Sequence, residues 1–185
     1  MNRKRFFILL IACILLCACK KSRCYFYTTA IQVANTDNSG GTKDTTHIQS
    51  VSGHAYVIRV RSSEHVTNPI KNKEYNESVW YFQTYKLTAF TVRTLNPFDS
   101  THAANSDISS YFLTDYGAQY TLEEFISSKR LNEKYQLLGY KEDFTTSIDL
   151  MLMKAPTIKG QHRFEVKMTF DNGSNFADTA NVILL

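Results

Sequence analysis

The chain reads as an all-β protein: a two-sheet antiparallel β-sandwich of the immunoglobulin-like kind, with one or two short helices in its connections. Three observations predict this. Segments rich in aromatic and β-branched residues, alternating apolar and polar with period two, recur along the chain. Clusters of Asn, Asp, Ser and Gly punctuate them. Only one strong helix start, Thr121-Leu122-Glu123-Glu124, interrupts the pattern. Short strands with regular turn signals favour two packed sheets.

In chain order, Tyr25 to Ala34 is a first strand, closed by Thr36-Asp37-Asn38-Ser39-Gly40-Gly41. The polar stretch to Gly53 has no helical period and reads as loop. Ala55 to Arg61 alternates, with Tyr56, Ile58 and Val60 on one side and Arg59 and Arg61 on the other. Ser62 to Glu77 is polar, contains Pro69 and reads as an exposed connection. Val79 to Thr94 is long for one strand, and its apolar phase changes midway. A bulge, or two strands broken near Gln83-Thr84, reconciles this. Asn96-Pro97 closes the element.

Ser106 or Asp107 caps a helical turn over Ile108 to Phe112. Thr121 and Glu124 form a capping box for a helix of Leu122 to Leu131, with Leu122, Phe125 and Ile126 inward and Lys129-Arg130 complementing its dipole. Phe144 to Met153 and His162 to Phe170 are strands. The second places Phe164, Val166, Met168 and Phe170 on one face. Asp171-Asn172-Gly173-Ser174 is a hairpin turn because Asn-Gly accepts positive φ, and Phe176 to Leu184 returns.

The N-terminus is of a different kind. Arg3, Lys4 and Arg5 precede the apolar run Phe6 to Ala18, which is too short to span a bilayer and fits the h-region of an export signal. The run ends Leu16-Cys17-Ala18-Cys19. This resembles the bacterial lipobox, with an aliphatic residue three before the cysteine and a small one just before it. The resemblance implies a diacylglycerol on the Cys19 thiol, cleavage between Ala18 and Cys19, and a new amino group open to acylation, as by palmitate. Cys17 and Cys24 are poorer lipobox cysteines, since Leu16 and Arg23 precede them. An ordinary signal peptide cut at Ala18, or a short uncleaved anchor, are the alternatives. The expected organisation is signal 1–18, lipidated tether 19–24 and one sandwich domain over 25–185.

Losing Arg3, Lys4 and Arg5 removes most of the formal charge of +4, so there is no electrostatic case for nucleic acid. Of four cysteines, Cys13 and Cys17 leave with the signal, and Cys19 is consumed by lipid. Cys24 remains as a membrane-proximal thiol, so no disulfide within the mature domain is expected. Lys20, Lys21 and Arg23 suit anionic headgroups beside the anchor.

Three groups of landmarks occur together. They are Asp37-Asn38-Ser39-Gly40 with Ala55-Tyr56-Val57-Ile58-Arg59, Phe98-Asp99 with Ala104 to Phe112, and His162-Arg163-Phe164 with Asp171-Asn172-Gly173, Phe176 and Thr179. With the lipobox they resemble a domain-of-unknown-function family of Bacteroidetes lipoproteins. The resemblance covers nearly the whole mature chain and brings no catalytic residues with it. It implies an outer-membrane lipoprotein. Surface-displayed members of that group carry an acidic run after the lipidated cysteine, whereas Lys20-Lys21-Ser22-Arg23 stands here, which favours the periplasmic face.

Chemical motifs are scarce. There is no phosphate-binding glycine loop, H-E-x-x-H, C-x-x-C or G-x-S-x-G, and no cofactor or catalytic residue is expected. His47, His54 and His65 are read as solvated loop residues rather than metal ligands, and His162 as a surface residue at a strand start. Capping accounts for Glu123 and Glu124, and turn chemistry for Asp171 and Asn172. Trp80, Tyr81 and Tyr85 form a possible sugar-stacking platform, although a lone tryptophan more often anchors a sandwich core. The loops Thr36–Gly53, Ser62–Glu77 and Asn96–Asp107 are the better contact surfaces. The expectation is a non-enzymatic binding or assembly module that contacts another envelope component. The alternatives are a glycan-binding lipoprotein and a hydrolase whose site is assembled from distant loops.

Overall fold

The structure, a computed structural model, describes residues 23–39, 50–68, 78–115, 118–128, 135–138 and 142–185. Residues 1–22, His47, Lys129 and Arg130 lie outside these, and with them the signal, Ala18 and Cys19. Among the described residues eleven strands form two packed sheets. They are β1 (Arg23–Asp37), β2 (Ser50–Val51), β3 (Tyr56–Val66), β4 (Ser78–Gln83), β5 (Leu87–Thr94), β6 (Phe112–Asp115), β7 (Gln119–Thr121), β8 (Tyr135–Leu138), β9 (Asp143–Leu152), β10 (Gly160–Phe170) and β11 (Asn175–Leu184). One sheet runs β7-β6-β9-β3-β1-β4-β8, the other β2-β11-β10-β5.

The predicted two-sheet sandwich is the architecture observed. Most pairings are antiparallel, but β1 runs parallel to β4 and β11 parallel to β2. β8, which lacks a clear alternation of its own, is recruited by pairing with β4.

The long apolar segment after Val79 proves to be two strands in two sheets. β4 joins β1, and β5 joins β10. The change of apolar phase at Gln83-Thr84 is therefore the point where the chain crosses the sandwich. β1 changes phase too. A bulge between Thr28 and Ala30 inserts Thr29, so the inward set switches from Phe26 and Thr28 to Ile31 and Val33.

Both expected helical pieces form. A 3-10 turn covers Ser109–Tyr111, with the Asp107 carboxylate accepting from the Ser109 N–H at 2.8 Å. The helix α1 (Leu122–Ser127) is shorter than predicted and carries the complete Thr121–Glu124 capping box. Leu122 and Phe125 are buried, with the Phe125 ring 6.0 Å from Phe90. The hairpin turn places Gly173 at φ 84°, as Asn-Gly turns require.

The main core is aromatic. Phe164 of β10 lies within ring contact of Tyr56 (5.7 Å), Phe98 (6.2 Å), Phe112 (6.1 Å) and His162 (5.8 Å). The surface position expected for His162 is overturned: it is 1% exposed, stacked on Phe164, with Nε2 2.7 Å from the Ile158 carbonyl. His162 shares the inward phase of Phe164 and Val166, and that periodicity outweighs its polarity.

Cys24 is also corrected. β1 already begins at Arg23, and Cys24 is fully buried with Phe26, Val66, Val79 and Tyr81 in a second, smaller core. The described fold thus starts inside the segment assigned to the tether.

Truncating the ring at the centre of the main core, Phe164→Ala, should cost about 3–5 kcal/mol of stability. Urea denaturation of wild type and variant measures this, and a loss below about 1 kcal/mol would show that the ring does not hold the two sheets together.

Candidate functional site

Two places concentrate polar and aromatic groups. The first is a cleft of about 480 Å³ lined by Tyr27, Thr28, Thr29, Tyr85, Asn172, Ser174 and Phe176. Three pieces of chain make its walls: the β1 bulge, the crossing turn between β4 and β5, and the β10–β11 hairpin turn.

Each wall is tied to another through the backbone. The Thr84 N–H donates to the Phe26 carbonyl of β1 at 2.8 Å. The Asp171 N–H donates to the Lys86 carbonyl at 2.9 Å, and the Lys86 N–H returns a bond to the Asp171 carboxylate at 3.0 Å. Tyr85 therefore sits between two hydrogen-bonded neighbours. In the hairpin, Asn172 Oδ1 accepts from the Ser174 N–H at 3.0 Å and from its hydroxyl at 2.7 Å. Bulged Thr29 donates its hydroxyl to the Ser63 carbonyl at 3.1 Å. The rings of Tyr27 and Tyr85 meet edge to face at 6.3 Å, and Phe176 braces against Phe170 at 6.0 Å.

Below it lies a buried polar belt on the inner face of the larger sheet. Glu64, 4% exposed, accepts from the hydroxyls of Thr28 (2.9 Å), Ser62 (2.6 Å) and Thr146 (3.3 Å). The belt crosses β1, β3 and β9 and separates the two cores. It also corrects the exposed connection expected from Ser62. β3 continues to Val66 because Ser62 and Glu64, though polar, find partners inward. Burial pushes the Glu64 carboxyl up, against the three hydroxyls that favour its ionised form.

The second place is the loop at Asn96–Asp107. One oxygen of Asp99, Oδ1, accepts from the N–H and hydroxyl of Thr101 and from the N–H and Nδ1 of His102, each at 2.8 Å. Lys154 donates to the Tyr111 hydroxyl at 2.8 Å and stands 3.7 Å from Asp99 Oδ2. Burial alone would raise the Asp99 carboxyl. The bonds from His102 and Thr101 outweigh it and hold the group well below the usual carboxylate range. The hydrogen bond from Lys154 to Tyr111 helps to raise the lysine. His102 and Asp99 have the spacing of an acid–base pair. The Thr101 hydroxyl stands 3.0 Å from the same His102 Nδ1, but its proton goes to Asp99. What the cluster does is fold the loop and fasten it to the end of β9.

Trp80, Tyr81 and Tyr85, the possible platform, do not share one surface. Trp80 and Tyr81 are adjacent in β4 and so point to opposite faces. Tyr81 is fully buried, 5.2 Å from the Phe144 ring, whereas Trp80 is half-buried and outside the core clusters. The core is anchored by Phe164 and its neighbours, not by the tryptophan. Tyr85 alone reaches a candidate surface, with Tyr27 and Phe176 as its partners. His54 lies in the turn before β3, whereas His65, read as a loop residue, is within β3 near its far end, with Nδ1 2.9 Å from Asp143 of β9. Among the described residues no group of three His, Cys, Asp or Glu could hold a metal ion. What the sequence reading missed was long-range: Tyr27 and Phe176 are far apart in the chain, and only the packing of the sheets brings them to Tyr85.

The fold and cleft define a β-sandwich with an open, aromatic-lined surface site. Within that class, the chain belongs to the family described as domain of unknown function DUF5034, whose profile matches residues 28–181. No curated protein matches. Among solved structures it is similar to "BspA_C_mut", at 10% identity and TM-score 0.28, over 84% of this chain and 47% of that one. It is also similar to the C-terminal domain of the Streptococcus pyogenes antigen I/II-family protein AspA, at 14% identity and TM-score 0.27, over 84% and 46%. The chain spans about half the length of each, and scores this low say nothing of the site.

Two measurements test the polar groups. A carboxyl whose folded pKa is raised stabilises the fold fully below its unfolded value, and that contribution is lost as pH rises through the folded one. Glu64→Gln should therefore match wild type in thermal melts near pH 4 and gain on it as pH rises to 8, an ordering that reverses if the carboxylate is the favoured buried form. Asp99 has the opposite sign. Asp99→Asn should melt lower than wild type at pH 7, and the gap should narrow as pH falls below about 4. A gap that does not change with pH would show that ionisation of Asp99 is irrelevant to the loop.

Proposed function

We propose that this protein is a lipid-anchored cell-envelope lipoprotein acting as a non-enzymatic binding module. The anchor is the acylated thiol of Cys19, the location is the outer membrane with the periplasmic face preferred, and the binding surface is the Tyr27–Tyr85–Phe176 cleft. The observation that carries the binding reading is the hydrogen-bonded closure of the cleft walls: a preformed concave surface with aromatic sides and uncharged polar groups is built to hold something. The non-enzymatic reading rests on the character of the two polar clusters. Their carboxylates are occupied by neighbouring donors in the same fold, and among the described residues the one hydroxyl beside a histidine nitrogen, that of Thr101 at 3.0 Å from His102 Nδ1, donates its proton to Asp99.

Leu16-Cys17-Ala18-Cys19 supports the anchor, and the early start of β1 gives it a mechanical consequence. Only Lys20, Lys21 and Ser22 separate Cys19 from the strand, so at about 3.5 Å per residue β1 starts within about 14 Å of the lipidated residue. The domain would sit close to the bilayer, with Arg23, whose guanidinium lies 5.8 Å from the centre of the Phe82 ring, at its base.

Cells fed a labelled fatty acid should incorporate it into the wild-type chain but not into Cys19→Ser, and only wild type should sediment with membranes. A photo-crosslinker at position 85 should give a discrete adduct that one at the exposed Ile183 does not. Equal labelling of both chains would refute the anchor. Indistinguishable crosslinking from the two positions would refute the cleft.

A further inference from the structure

We infer that the cleft binds an uncharged carbohydrate, with a pyranose ring seated against Tyr85 and Tyr27. This rests on the cleft being the binding surface proposed above. Its volume of about 480 Å³ suits a small ligand or a short stretch of oligosaccharide. The rings present electron-rich faces, which attract the weakly positive C–H groups on the flat side of a sugar.

The polar groups supply both donors and acceptors. The Thr29 hydroxyl spends its proton on Ser63, and the Ser174 hydroxyl spends its own on Asn172, so both offer lone pairs to a ligand. The Asn172 amide uses its oxygen within the turn, and its NH₂ has no partner among the described residues, so it offers two donors. Neighbouring sugar hydroxyls are each donor and acceptor, and they need such a mixed set.

Other ligand classes fit less well. None of the seven described lining residues is charged, so a phosphate or carboxylate would find no counter-ion. An acyl chain would leave the Thr, Ser and Asn groups unpaired. A peptide strand added to β1 has only part of an edge to use, since β1 pairs with β3 along its length and with β4 over Arg23–Phe26.

The test uses the full chain, purified in a detergent without a sugar headgroup. Saturation-transfer NMR and calorimetry are run against malto-, cello-, xylo-, manno- and chito-oligosaccharides. At least one should bind saturably. Tyr85→Ala should weaken it by about tenfold, Tyr85→Phe should retain it, and Tyr25→Ala, a surface tyrosine outside the cleft, should leave it unchanged. Circular dichroism checks that each variant folds. Saturable binding by none of the oligosaccharides, or equal binding by wild type and Tyr85→Ala, overturns the assignment. If the sugars are silent while a crosslinker at position 85 still gives its discrete adduct, the carbohydrate assignment falls and the cleft stands. If both are silent, the binding reading falls with it.

Discussion

The crossing of the chain from one sheet to the other at Thr84–Lys86 is the constraint on which the rest depends. β4 and β5 are almost continuous in sequence, yet they belong to different sheets. The turn between them is tied on one side to β1, through Phe26, and on the other to the β10–β11 hairpin, through Asp171. It therefore sets the separation of the two layers at that edge. It also decides that Tyr85 stands beside Tyr27 and Phe176 instead of beside its sequence neighbours. Core and cleft meet at the same three hydrogen bonds.

Behind that edge the larger sheet does something unusual for a sandwich: it interrupts its apolar face with a carboxylate. Burying Glu64 costs solvation, and three hydroxyls from three strands offset part of the cost. The arrangement is register-specific, since a one-residue slip would move Glu64 to the other face and leave the hydroxyls unmatched. The belt thus divides the interior into a large core closed by the smaller sheet and a small one around Cys24, Phe26 and Tyr81. Asp99 plays a comparable part on the opposite side of the balance. It is a carboxylate kept ionised by its own loop, and its bonds to Thr101 and His102 tie the Asn96–Asp107 segment together.

Where local chemistry suffices, the structure follows the sequence closely. The Thr121–Glu124 capping box, the Asn172-Gly173 turn and the alternation of Phe164, Val166, Met168 and Phe170 are all decided by neighbours within a few residues. The departures have a common physical origin. Ser62, Glu64 and His162 are polar residues placed inward because partners from distant strands, or ring stacking, make burial tolerable. β8 exists because β4 offers it an edge. Trp80 and Tyr81 could not have formed a joint surface in any strand, because the pleat turns adjacent side chains apart. Periodicity alone could have raised that objection.

By itself, then, the sequence determined the class of fold, the turns, the helix cap and the phase break near Gln83, because each depends on spacing along a short stretch of chain. The tertiary structure alone decided which sheet each half of the broken segment joins, that Cys24 and Tyr81 are core, that Glu64 is buried among hydroxyls, and which aromatics share the cleft. Those outcomes depend on contacts between residues tens of positions apart, whose free energy appears only when the two layers close on each other.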